Sequence, residues 1–83
     1  MENEEQFLEM IIKGIVTEPD KVEIVRKKDE MGVLYTVTAA ESDLAKIIGK
    51  QGNIAQAIRL LLKVVGYKYS VRASMKINVP HNK

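Results

Sequence analysis

Apolar positions along this chain change their period several times, and each change marks an element. From Asn3 to Ile15 they recur with helical spacing. Phe7, Leu8, Ile11, Ile12 and Ile15 share one stripe, with Glu4, Glu5, Glu9 and Lys13 outside it. A stripe of this kind reads as core. Gly14 and then Thr17-Glu18-Pro19-Asp20 predict an exit and a turn. Lys21 to Lys28 then predicts a strand, Asp29-Glu30-Met31-Gly32 has turn chemistry, and Val33 to Ala39 predicts the return strand of a hairpin. In that second strand Val33, Tyr35, Val37 and Ala39 fall on one face, Thr36 and Thr38 on the other.

The period then returns to helical. Ser42 to Ile48 predicts a short helix capped by Ser42, and Asn53 to Val65 a longer one stopping at Gly66. Gly66-Tyr67-Lys68-Tyr69 reads as a connection, with the tyrosines packing over the helix end or stacking on a base. Val71 to Val79 alternates, with Val71, Ala73, Met75, Ile77 and Val79 inward and Arg72, Ser74, Lys76 and Asn78 outward. Pro80 ends this strand ahead of a tail, residues 80–83. The order α-β-β-α-α-β predicts a single α+β domain over residues 1–83, with an ordered core of about 3–79. Its three-stranded mixed sheet carries three helices on one face, and the last strand runs parallel to the second strand of the hairpin.

The long helix carries more apolar surface than one core needs. Ile54, Ile58, Leu61, Leu62 and Val65 cluster on one side, while Gln56, Arg59 and Lys63 lie opposite. Ala57, Leu60 and Val64 widen the apolar arc to roughly 220°. Packing on the short helix accounts for some of this; a partner surface on Ala57, Leu60 and Val64 is the alternative.

Composition narrows the possibilities. The chain has 83 residues, 46% of them hydrophobic, and no cysteine, which excludes a disulfide framework and thiolate metal sites. The single histidine, His81, stands in the tail, away from any group that could make it a catalytic base or zinc ligand. No enzymatic activity, cofactor, metal or small-molecule substrate is expected. No apolar run is long enough to insert in a membrane, and the acidic start is unlike a signal peptide, so the expected setting is the cytoplasm.

Charge is strongly polarised. Residues 1–43 hold five bases and eleven acids, a net of −6; residues 44–83 hold eight bases and no acid, a net of +8; together these give the overall +2. The acids fall on a solvated helix face and around turns. The basic half is where a polyanion would sit.

That half contains Ile47-Ile48-Gly49-Lys50-Gln51-Gly52-Asn53-Ile54, two glycines three apart between two helices. Glycine tolerates positive φ in so short a link and lets a ligand approach the backbone. The amides of Asn53, Ile54 and Ala55 open the second helix, where an anion meets the positive end of the helix dipole, and Lys50 adds a mobile cation. A GxxG by itself is also an ordinary helix–helix turn. No GxxxxGK[ST] is present, so nothing points to nucleotide hydrolysis.

The string Asp43-Leu44-Ala45-Lys46-Ile47-Ile48-Gly49-Lys50-Gln51-Gly52, in this element order, resembles the type II K-homology (KH) domain. The likeness spans about residues 2–79, and the size resembles the small bacterial KhpA family. The resemblance implies binding of single-stranded RNA, on which a KH loop clamps about four nucleotides. It also implies a cytoplasmic RNA chaperone or post-transcriptional regulator linked to cell division and cell shape. Self-association, or pairing with a larger KH protein of the KhpB/Jag type, is implied as well. Carried onto this chain, Gly49 and Gly52 shape the loop and Lys50 and Gln51 face the RNA backbone. Ile47, Ile48 and Ile54 form or support the groove. Lys46 and Arg59 add general attraction, and Asn53 and Gln56 offer hydrogen bonds to bases. The competing reading is a protein-interaction subunit that pairs through Ala57, Leu60 and Val64.

Overall fold

Strand β2, Gly32–Thr38, is the middle of a three-stranded sheet in the computed structural model, which describes residues 4–79. Around it the chain runs α1 (Glu4–Ile15), β1 (Glu23–Asp29), β2, α2 (Glu41–Ile48), α3 (Asn53–Lys68) and β3 (Ala73–Ile77). β1 pairs with β2 antiparallel, with Arg26 opposite Tyr35, and β3 pairs with β2 parallel, with Met75 opposite Tyr35. This is the predicted α+β, type II KH order, with the last strand parallel as expected from a crossover through two helices. The tail at 80–83 and the first three residues lie outside the described residues.

Alternation in β2 sends Val33, Tyr35 and Val37 into the core, where Leu8 and Ile12 of α1, Ile47 of α2, Ala55, Ile58 and Leu62 of α3, and Ala73 and Met75 of β3 meet them. Burying this set removes apolar surface from water at roughly 25 cal/mol per Å², which holds the helices to one face of the sheet.

Several predicted details differ. α2 begins one residue earlier than Ser42, after Ala40, and has no side-chain cap; the Ser42 cap does not form. Gly66 does not end α3, which continues to Lys68. A Cβ at Gly66 would lie 2.5 Å from the Val71 carbonyl oxygen, so this glycine serves the close passage of the helix over the start of β3. β3 is shorter than the predicted Val71–Val79, and Val79 is exposed.

The buried line of α3 runs Ala55, Ile58, Leu62, Gly66, so Ile54 and Leu61 fall at its margin and are exposed. Small residues at both ends let the helix approach closely, and that rotates the larger ones outward. Glu4 is the plainest departure. It lies outside the apolar stripe yet is buried, and the Tyr35 hydroxyl donates to its Oε2 at 2.7 Å. A buried phenol needs an acceptor, and the first turn of α1 supplies it. Burial, then this bond, push the Tyr35 pKa up to about 12.

Candidate nucleic-acid interface

α2 ends at Ile48 and the backbone turns at Gly49, with φ 77° and ψ 176°. A Cβ there would sit 2.5 Å from Ile54 Cγ1 and 2.8 Å from the Ile54 nitrogen, so only glycine fits. Gln51 (φ 58°) and Gly52 (φ 78°) are also left-handed, so three of the four loop residues have positive φ, one more than the glycines predict. A Cβ at Gly52 would meet nothing within 4 Å. Gly49 is thus required by packing, whereas Gly52 serves backbone conformation and a bare outer face.

The loop's amides are unequal. The Gly49 N–H donates to the Ala45 carbonyl and the Gly52 N–H to the Gly49 carbonyl. The Asn53 amide, expected to face an anion, donates instead to the Lys50 carbonyl. Lys50 and Gln51 carry the other two amides of the GxxG, and both residues are exposed. α3 starts at Asn53 with Gly52 as a cap that has no side chain to offer, so its positive end is unscreened by any capping group. It is sixteen residues long, enough for its peptide dipoles to add.

Lys46, Lys50, Asn53, Gln56 and Arg59 are exposed around this bend. Ile48 is half-buried and Ile54 is 40% exposed, so apolar side chains reach the surface on both sides of the bend. Ile47 is fully buried and belongs to the core rather than to the surface of the bend. The Arg59 Nε donates to the Met75 carbonyl of β3 at 3.1 Å, which ties the polar strip of α3 to the edge of the sheet.

The two acids of α2, Glu41 and Asp43, stand in its first turn, at the end opposite the loop. Asp43 is not on a solvated face as expected but fully buried. Its Oδ1 accepts from the Thr17 amide (3.0 Å) and hydroxyl (2.9 Å), and its Oδ2 from the Glu18 amide (3.0 Å). The Thr17 amide foremost, then its hydroxyl, the Glu18 amide and the Lys46 charge, hold the carboxyl below the usual aspartate range against the opposing effect of burial. The sequence signal missed here was Asp43 at the head of a helix, facing a Thr-Glu-Pro turn rich in open amides.

Among the described residues no group of three or more His, Asp or Glu could hold a metal ion, and no helix is long and apolar enough to cross a membrane. On α3, Leu60 (62% exposed) and Val64 (55%) stand out with Ala57, and Tyr67 (65%) continues their line. The expected packing of Tyr67 over the helix end does not occur, because the helix runs past it. Tyr69 is half-buried, with the Lys68 Nζ 5.8 Å from its ring centre.

The family model described as KhpA/KhpB, KH domain, matches residues 5–77. The chain belongs to the KhpA/KhpB family of KH domains. Among curated relatives, the RNA-binding protein KhpA of Chlamydia pneumoniae is 39% identical over 72 residues, covering 87% of this chain and 92% of the relative. RNA-binding protein KhpA of Clostridium acetobutylicum is 38% identical over 87% of this chain and 96% of its own length. That of Listeria monocytogenes is 33% identical over 88% and 96%. No solved structure matches the chain. KH domains are non-catalytic modules for single-stranded nucleic acid. The match to the KhpA/KhpB model takes in every strand and all of α2, the bend and α3.

Proposed function

We propose that this protein binds single-stranded RNA through Gly49-Lys50-Gln51-Gly52, acting in the cytoplasm as an RNA chaperone or post-transcriptional regulator connected to cell division and shape. Phosphates lie on the bend and the mouth of α3, beside Lys46 and Lys50. Bases lie over Ile48 and Ile54 toward Gln56, Arg59 and the edge of β3. The observation that carries this reading is the bend itself: exposed at Lys50 and Gln51, bare at Gly52, and opening a helix with no side-chain cap. Replacing Lys50 and Gln51 with aspartates should abolish RNA retention and leave the melting temperature and oligomeric state unchanged. Unchanged retention would refute the role of the bend.

A single copy gathers few phosphates, so a second KH domain would raise avidity. We propose Ala57, Leu60 and Val64, extended by Tyr67, as the surface for a second copy or a KhpB/Jag-like partner. Spacings of three, four and three residues put these four on one face of α3. The same exposed face also favours the alternative, an interaction subunit whose main task is pairing. Leu60→Asp should leave a monomer; if it sediments as the wild type does, the face is not the interface.

A further inference from the structure

We infer that Arg59 selects the base lying against the edge of β3, and that it selects one with two adjacent hydrogen-bond acceptors, guanine or cytosine. The inference rests on the proposed RNA groove and gives it a specificity.

Among the described residues β3 pairs with β2 alone, so its other side is an unpaired edge. The Val33 amide donates to the Arg72 carbonyl at 2.8 Å and the Asn78 amide to the Val37 carbonyl at 2.9 Å, so the even-numbered positions of β3 bond to β2. In a parallel ladder the alternate residues, Ala73, Met75 and Ile77, turn their amides and carbonyls to the open edge. At the middle of that edge the Arg59 Nε donates to the Met75 carbonyl. The Met75 side chain is itself in the core, 4% exposed, so this carbonyl is a fixed post.

Pinning a guanidinium by Nε leaves its two terminal nitrogens as a planar pair of donors whose direction is set. Arg59 as a whole is exposed, so that fork is open to a ligand. Two parallel donors match two neighbouring acceptors. Guanine offers O6 and N7, and cytosine offers O2 and N3. Adenine sets its amino group beside N1 and N7, and uracil sets N3–H between its carbonyls, so either would bring donor against donor. The Met75 carbonyl, which a base amino group would otherwise seek, is already engaged by Arg59. The middle of the edge is therefore a donor. Arg59 is seven residues past Gly52, about 10 Å along the helix, with Gln56 between them on the same strip. A strand anchored at the bend passes it.

The test is fluorescence anisotropy of the full chain with uridine octamers carrying one cytosine, guanine or adenine at a scanned position. The wild type should prefer the cytosine or the guanine octamer over the all-uridine and adenine ones by about tenfold, the two arms showing which base is read. Arg59→Lys keeps the charge without the fork; it should lose the preference and keep the salt dependence of binding. In the wild type, exchanging the preferred base for 7-deazaguanine or 3-deazacytosine removes one acceptor and should erase the preference, whether or not the lysine variant folds. Equal binding of all octamers by the wild type, or survival of the preference in the lysine variant or with the deaza base, overturns the inference and leaves the RNA site standing. Failure of the wild type to bind any octamer overturns both.

Discussion

Thr17 and Asp43, twenty-six positions apart, are joined by two hydrogen bonds to one carboxylate oxygen, from the Thr17 amide at 3.0 Å and its hydroxyl at 2.9 Å. The bonds fix the turn after α1 to the first turn of α2, the helix that delivers the chain to the glycine bend. A buried carboxylate is tolerated there because both of its oxygens accept hydrogen bonds and it stands at the positive end of a helix.

Asp43→Asn should therefore lower the melting temperature by on the order of 5–10 °C at neutral pH. The folded-state pKa is depressed, so the aspartate contributes fully above the ordinary range near pH 4. That contribution is lost as the pH falls through the lower folded value. Thermal melts of both proteins from pH 7 to pH 2.5 should converge at the acid end. A gap that stays constant to the lowest pH would show that the charge is not what the site uses.

Tyr35 gives the opposite limb. Its pKa is raised to about 12, so its contribution is complete below pH 10, the ordinary tyrosine value, and disappears as the pH climbs through about 12. Urea unfolding at pH 8, 10 and 12 should show this loss. Tyr35→Phe leaves the buried Glu4 carboxylate without its donor and should cost about 1–3 kcal/mol at pH 8. If that variant loses stability between pH 10 and 12 as steeply as the wild type, the loss does not come from Tyr35.

Two helical glycines make a matched pair. A Cβ at Gly14 meets nothing within 4 Å, so Gly14→Ala should stabilise by about 0.5–1 kcal/mol through helix propensity. Gly66→Ala gains the same propensity but drives a methyl to 2.5 Å from the Val71 carbonyl oxygen, and should destabilise by about 1–3 kcal/mol. Denaturant midpoints moving in the same direction would contradict the packing of α3 on β3.

The loop glycines should separate folding from binding. Gly52→Ala has room and costs about 1–2 kcal/mol for its left-handed backbone, so the protein stays folded while RNA binding weakens. Gly49→Ala adds a clash with Ile54 and should lose more stability. Equal melting temperatures for the two would remove the distinction between packing and exposure at the bend.

Binding to the bend and its lysines should engage about three or four phosphates. The slope of log K against log salt is then about −2 to −3 for single-stranded RNA. Titrations between 50 and 300 mM salt give the slope, and a value near zero would mean that bases rather than phosphates hold the strand.

Much of the architecture was legible in the chain. Period-two alternation marked β2 and β3, and period-3.6 stripes marked the helices, because burial on one face leaves that imprint. The bend was legible because Gly49-Lys50-Gln51-Gly52 sits between two such stripes. Gly66 misled, since a glycine ends helices more often than it lets one pass close to a strand. Ile54 and Leu61 misled because a helical stripe wider than the core does not reveal how the helix is rotated.

Local order of apolar and polar residues determined the element sequence, the parallel return of β3 and the position of the glycine bend, since each follows from short-range periodicity and chain connection. Tertiary structure alone decided that Asp43 and Glu4 are buried, that Arg59 is pinned to Met75, and that Tyr67 joins an exposed face with Leu60 and Val64. Those are meetings between residues distant in the chain, or rotations of a whole helix, and only packing against the sheet sets them.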